Sequence, residues 1–220
     1  MNVERGKVCL LAACLALVSA CAIRRGPVHN ELLTTEPSDA LAVSDALEAL
    51  IAAGQDTTAD REYAYEIVHQ HHEDTAASAF ACAVVTGRLV QQRGFLAAGL
   101  VPDVERCARR SRELDPNFRD GAATRLLGTL YVIAPVALLQ HGDSEEGLAL
   151  LEGLVAAHPE TPENHLRLAE GYIALGDPGP ARPHLCICLA HKSALRRDEQ
   201  QLLSELMADA GSPSCVGAAP

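Results

Sequence analysis

The sequence has few aromatic residues and no long hydrophobic run. Tryptophan is absent, and aromatic residues make up 3% of the 220 positions. Alanine and leucine are abundant instead, which favours closely packed helices over a β-sandwich, whose strands are typically rich in aromatic and β-branched residues. The apolar run from Val8 to Val18 is too short to span a bilayer as a mature helix.

Positive charge and catalytic motifs are also scarce. The chain has 18 Lys and Arg against 29 Asp and Glu, a formal net charge of −11. Such a surface repels phosphate backbones, so the composition argues against nucleic-acid binding. We find no G-x-S-x-G elbow, phosphate-binding glycine loop or H-E-x-x-H motif, and therefore expect neither an enzyme nor a cofactor.

The N-terminus has the organisation of an export signal. Two basic residues precede the apolar run, and Ser19, Ala20 and Cys21 follow it. The run VSAC resembles the lipobox of bacterial lipoproteins, in which the cysteine after the cleavage site is acylated. The resemblance implies cleavage between Ala20 and Cys21 and a lipid anchor on Cys21. Ala22 follows the cysteine, and by resemblance to the sorting rule of enterobacterial lipoproteins it implies the periplasmic face of the outer membrane. An ordinary signal peptide is the alternative.

Composition and periodicity divide the chain into four parts. We predict a signal peptide at 1–20, the lipidated cysteine and a flexible tether at 21–37, a helical domain at 38–209 and a disordered tail at 210–220. Helical spacing and capping residues predict about nine helices in the domain. Six helices have predicted ranges: Ser38 to Gly54, Asp60 to His72, Thr75 to Gln92, Val101 to Leu114, Gly121 to Ala134, and Ala194 to Asp209. Three more have a predicted first residue only: Asp143, Thr161, and Pro180, the last with a distortion at Pro183.

An internal repeat indicates how these helices are arranged. The run RLLGTLY is echoed by LRLAEGY, and the helices that follow echo each other at a spacing of 34 residues, the tetratricopeptide period. The small residues in each run allow two helices to approach closely. The sequence therefore predicts an all-α fold of antiparallel helical hairpins of tetratricopeptide type, stacked as a short solenoid.

Two surfaces are candidates for binding a protein partner. In a helical solenoid the first helix of each hairpin lines the concave side. The polar residues expected there are Arg125, Thr129, Glu163, Arg167 and Glu170.

The second candidate is the loop 134–142. The first helices of the two repeats are 41 residues apart, whereas the second helices are 34 residues apart. The earlier hairpin therefore contains extra residues, and they lie in this loop. This loop is unusually apolar, and it either contacts a partner or folds back over the core. Its apolar residues are Pro135, Val136, Leu138 and Leu139.

Five cysteines remain after the lipidated one. Cys82 and Cys107 lie on helices that we expect to be adjacent, so a disulfide between them is one possibility. The run HLCICLAH places His184, Cys188 and His191 on one helical face, where a metal site is an alternative to ordinary packing. We assign no metal.

About a third of the chain, with the lipobox, resembles a known family. The segment from Gly121 to Asp177 resembles the T-component lipoproteins of tripartite ATP-independent periplasmic (TRAP) transporters. The matching positions are Arg125, Leu127, Gly128, Tyr131, Ala134, Pro135, Gly142, Asp143, Asn164, Leu168, Ala169 and Glu170.

The resemblance implies an α-helical periplasmic lipoprotein, trimeric in some members, that partners a periplasmic solute-binding protein. Two alternatives stay open: a general assembly-scaffold lipoprotein and a carrier of small hydrophobic ligands.

Overall fold

The fold is a stack of α-helical hairpins. The computed structural model describes residues 26–70 and 73–215, which contain no β-strand. Nine helices of 12 to 18 residues follow a one-turn helix in this part of the chain, so the predicted all-α hairpin stack is confirmed. The helices are α1 (Asn30–Leu33), α2 (Ala40–Ala53), α3 (Thr58–Gln70), α4 (Ala76–Arg93), α5 (Val101–Leu114), α6 (Ala122–Ile133), α7 (Ser144–Ala157), α8 (Pro162–Ala174), α9 (Pro178–Ala190) and α10 (Arg197–Asp209).

Capping residues set most of the helix boundaries near their predicted positions. The Asp39 carboxylate accepts a hydrogen bond from the backbone N–H of Ala42 at 2.9 Å, so the cap of α2 is Asp39 rather than Ser38. Gly54 ends α2 in the left-handed conformation, with φ of +66°. Asp143 caps α7 by accepting from two backbone N–H groups.

The repeated small residues lie where neighbouring helices cross. A Cβ added to Gly128 of α6 would be 3.0 Å from the carbonyl oxygen of Gly147 in α7, and one added to Gly147 would be 2.8 Å from that of Gly128. The two backbones can approach this closely because neither residue has a side chain. Leu127 and Leu151 are buried beside the crossing.

The two ends of the described chain are packed, contrary to the predicted tether and tail. Leu32 of α1 is fully buried in the same cluster as Leu47, and the backbone N–H of His29 donates to Asp60 at 2.8 Å. At the other end Ala210 is buried, and Cys215 forms a disulfide with Cys186. Long-range contacts hold both segments although their local composition is that of loops.

The stack is closed by a contact between its ends. Separate apolar clusters fill the N-terminal helices α1–α4 and the C-terminal helices α8–α10. Helix α10 packs against α8 and α9 and also contacts α2, on the first long hairpin. No helix in the described ranges is long and apolar enough to cross a membrane.

Candidate binding surface

Arg125 is the centre of the predicted inner-face group. It lies near the start of α6, and its guanidinium Nη1 donates to Asn164 Oδ1 of α8 at 2.7 Å. No Asp or Glu in the described part of the chain forms an ion pair with Arg125. Burial lowers the pKa of Arg125, because it disfavours the cation, and the charges of Glu163 and Glu199 act in the opposite direction.

Asn164 has a polar atom without a partner. The residue is fully buried, and its Nδ2 donates no hydrogen bond within the described part of the chain. A buried donor left unpaired costs about 1–3 kcal/mol. A partly desolvated cation and an unpaired amide donor therefore lie side by side between α6 and α8.

Three of the other four predicted inner-face residues have polar partners within their own helix. Thr129 Oγ1 donates to the carbonyl oxygen of Arg125 at 2.8 Å, within α6. Arg167 and Glu170 form an ion pair one turn apart on α8, at 2.9 Å. Glu163 is half-buried and acts on Arg125 through its charge. All five residues thus lie on α6 and α8, and Thr129, Glu163 and Arg167 interact with Arg125.

Four charged residues that the sequence analysis did not identify join the two ends of the stack, and we call them the closing network: Glu48 of α2, Arg88 of α4, and Arg196 and Asp198 at the start of α10. The Glu48 carboxylate accepts from Arg88 Nε and Nη2, each at 2.6 Å, and also from Arg196 Nη1. Arg196 Nη2 lies 3.2 Å from Asp198. Burial alone would raise the pKa of Glu48, but the two arginines hold it below its usual value.

One part of the predicted apolar loop folds back over the core, and another part is exposed to solvent. Leu139 packs against the core cluster formed by α4, α5 and α6, and Leu138 is half-buried. Pro135 and Val136 face solvent, and Val136 is 69% exposed. The loop therefore covers the core with one part and presents the other to water.

A buried carboxylate holds this loop in place. Glu105 of α5 is fully buried and accepts hydrogen bonds from the backbone N–H groups of Gln140 and His141, at 2.7 and 2.9 Å. The hydroxyl of Tyr131 donates to the same carboxylate at 3.0 Å. Glu105 is four residues after Val101 and three before Ala108, so its position on an apolar helix face is the signal that could have identified it.

The cysteines form two disulfides in the described residues. Cys82 of α4 is bonded to Cys107 of α5, the pairing considered from the sequence, and Cys186 of α9 is bonded to Cys215. Cys188 is free and buried. Burial raises the pKa of its thiol to about 12, which disfavours the thiolate that a metal would require.

One of the two histidines of the HLCICLAH run, His184, has another histidine as its partner. The Nδ1 atoms of His184 and His165 are 2.8 Å apart, and His165 Nε2 lies 2.7 Å from the carbonyl oxygen of Pro159. That Nε2 must carry a proton to donate to the carbonyl, so His165 Nδ1 accepts from His184. No group of three or more potential metal ligands occurs in ranges 26–70 and 73–215.

Ala20 and Cys21, at the predicted cleavage and lipidation site, lie outside the described residues. No protein-family model matches the chain, and no curated protein matches it.

Proposed function

We propose that this chain is a lipid-anchored protein-binding scaffold on the periplasmic face of the bacterial outer membrane, and the accessory T-component of a TRAP-type uptake system. The stack of helical hairpins supports a binding role, since such stacks present extended surfaces to partners. Two disulfides support an oxidising compartment such as the periplasm. The lipobox resemblance supports an anchor at Cys21.

One observation carries the binding proposal: the polar pair between α6 and α8. Arg125 is a partly desolvated cation without an ion-pair partner among the described residues, and the adjacent Asn164 Nδ2 is buried and unpaired. A carboxylate or carbonyl oxygen supplied by another protein would accept from the guanidinium of Arg125, which is only half-buried. Arg167, one turn after Asn164, adds a second cation beside them.

The partner that the family resemblance implies is a periplasmic solute-binding protein. We propose that it contacts α6 and α8 through an acidic or carbonyl group bound by Arg125. The resemblance also implies a homotrimer, for which native mass spectrometry of the acylated protein in detergent is a direct measurement.

The test is site-specific crosslinking in the cell. A photo-crosslinking residue at Thr129 is expected to trap the solute-binding protein of a TRAP system. The double variant Arg125→Gln, Arg167→Gln is expected to reduce the crosslinked product about tenfold or more, which corresponds to about 1.4 kcal/mol or more. The control is Arg182→Gln, an exposed arginine on α9, which should leave the product unchanged.

The outcomes separate the proposed function from its alternatives. Equal crosslinking in the double variant, with unchanged thermal unfolding, would show that Arg125 and Arg167 do not bind the partner. A crosslink to a component of an envelope assembly complex would favour the general assembly scaffold. A small hydrophobic molecule retained by the purified protein would favour the carrier.

A further inference from the structure

Two adjacent large apolar side chains project almost completely into solvent. Phe95 and Leu96 are 96% and 94% exposed, in the short 3-10 helical segment Gly94–Leu100 between α4 and α5. The segment is not frayed, because Ala97, the next residue, is buried. A single exposed apolar side chain is ordinary, but a fixed, protruding pair indicates a contact surface.

The hydrogen bonds place this pair at one edge of the stack. Arg61, near the start of α3, donates to the carbonyl oxygen of Arg88 at 3.0 Å, and Glu62 is 2.7 Å from Arg93. The start of α3 therefore lies beside the end of α4, where the chain turns into Phe95.

The apolar loop lies at the same edge. Glu105, in the second turn of α5, holds the backbone of Gln140 and His141, so loop 134–142 lies beside the start of α5 and hence beside the turn that precedes it. Val136, which is 69% exposed, belongs to that loop. We call the surface formed by segment 94–100 and Val136 the loop edge.

The N-terminal segment reaches the domain at the loop edge too. The hydroxyl of Thr57 donates to the carbonyl oxygen of Pro27 at 3.4 Å, and the backbone N–H of His29 donates to Asp60 at 2.8 Å. Thr57 and Asp60 are at the start of α3, within one turn of the residues that contact the end of α4. The first described residues and Phe95 are thus on the same edge.

The distance from this edge to the proposed anchor is short. Gly26 is five residues after Cys21, and five fully extended residues span at most about 18 Å. Arg24 and Arg25 occupy this stretch of the sequence, and each basic residue near an anionic lipid surface contributes about 1 kcal/mol. Acyl chains on Cys21 would hold the loop edge close to the lipid headgroups.

From these contacts we infer that the loop edge faces the membrane and that Phe95 and Leu96 insert into the lipid surface. The inference rests on the proposed anchor at Cys21. The anchor and the inserted pair make two separate attachments, which fix the orientation of the stack. Helices α6 and α8, with Arg125, are then presented at a defined angle to a partner in the periplasm.

Tryptophan fluorescence tests the inference directly, because the chain has no tryptophan of its own. The acylated full-length protein would carry Phe95→Trp, with Leu96→Trp as a second reporter. It would be bound to vesicles of phosphatidylethanolamine and phosphatidylglycerol with brominated acyl chains. The control is Phe118→Trp, in the turn between α5 and α6 at the opposite edge. Acylation is measured by mass spectrometry, and attachment by flotation.

The expected result is a blue shift and quenching by the brominated lipid for Phe95→Trp and Leu96→Trp, with neither for Phe118→Trp. Floated protein whose tryptophan at position 95 stays accessible to an aqueous quencher would overturn the inference while leaving the anchor intact. Equal lipid quenching at position 118 would overturn the defined orientation.

Three further outcomes would also overturn it. Shielding of position 95 only when a second protein is added would assign the loop edge to a protein partner. Dissociation of an oligomer by Phe95→Ser would assign it to a second copy of the chain. A mature protein without acyl chains would remove the premise, and the anchored form of the proposed function with it.

Discussion

At the scale of single residues, one buried carboxylate determines how the inserted loop lies on the core. Glu105 makes three hydrogen bonds, to Tyr131 and to two backbone N–H groups of the loop. All three partners are donors, so only an acceptor at this position satisfies them. Loop 134–142 is apolar in composition, but a polar contact fixes its path.

We predict that Glu105→Gln destabilises the protein by about 2–3 kcal/mol, because an amide removes the negative charge and turns one acceptor into a donor facing an N–H group. Urea unfolding measures the loss, and hydrogen exchange should show it first in loop 134–142. The matched control, Glu113→Gln, changes an exposed residue of the same helix and should cost less than about 0.5 kcal/mol. Equal effects in the two variants would contradict the assigned role of Glu105.

The histidine pair makes stability depend on pH. Burial, followed by the nearby charge of His165, lowers the pKa of His184 from the ordinary 6.5, and Glu152 opposes this shift weakly. The unfolded chain then binds more protons than the folded chain between the lowered value and 6.5. The stability that His184 contributes is therefore complete above pH 6.5 and is lost as the pH falls towards the lowered value.

This dependence is testable by urea unfolding at several pH values on either side of 6.5. The free energy of unfolding should fall on acidification, and His184→Gln should remove part of that fall. His191→Gln, which changes an exposed histidine after the same helix, should leave it unchanged. A wild-type profile identical to that of His184→Gln would contradict the prediction.

At the scale of elements, sequence patterns predict a helix well where local signals agree. The predicted bounds of α5, Val101–Leu114, coincide with the observed ones because Pro102 favours the first turn and the apolar spacing is regular. Local signals conflict in α9. We expected its regular part to begin at Pro180, with a distortion at Pro183, but the helix starts at Pro178 and includes Pro183.

The burial of one helix face explains why α9 begins at Pro178 and continues through Pro183. Ala181, Leu185 and Cys188 are fully buried against α8 and α10, and this packing outweighs the cost of the proline. Pro178 and Pro180 lie in the first turn, where a missing N–H removes no helical hydrogen bond. Pro183, by contrast, lacks the N–H that would bond the carbonyl of Gly179.

Pro183→Ala is therefore expected to stabilise the protein, by about 1–2 kcal/mol after allowing for the greater freedom of alanine in the unfolded chain. Pro180→Ala, in the first turn of the same helix, should give no gain. Thermal and urea unfolding of the two variants provide the comparison. A gain in both, or in neither, would show that Pro183 does not strain α9.

The ends of the domain show what local sequence could not predict. Residues from Pro27 to Pro37 have the composition of a tether, yet His29 contacts Asp60, which is 31 residues away. The start of α10 is likewise held by a residue that is distant in sequence, since Arg196 contacts Glu48, which is 148 residues away. Such contacts leave no periodic pattern in the sequence because each depends on how the whole stack curves.

At the scale of the whole molecule, the closing network is a polar joint between two separate apolar cores. The cluster of the N-terminal helices and that of the C-terminal helices share no residue. Ion pairs among Glu48, Arg88, Arg196 and Asp198 connect the two ends directly. Ion pairs weaken with salt and with the loss of one partner, whereas apolar packing does not respond in this way.

We predict that Glu48→Gln opens this joint, because it leaves Arg88 and Arg196 close together without the carboxylate between them. The expected loss of stability is about 2–3 kcal/mol, somewhat below the value for a fully buried pair. Hydrogen exchange should increase in α2 and α10 before the other helices, and the radius of gyration from small-angle scattering should rise. High salt should shift the wild-type protein towards the behaviour of the variant.

Glu62→Gln is the matched control, because its partner Arg93 and Glu62 itself are both exposed, and such pairs contribute about 0–1 kcal/mol. It should change neither the hydrogen exchange of α10 nor the radius of gyration. If Glu48→Gln lowers stability but leaves both of these unchanged, then apolar contacts of α10 with α8 and α9 keep the stack closed. The closing network would then stabilise α2 and α4 without holding the two ends of the molecule together.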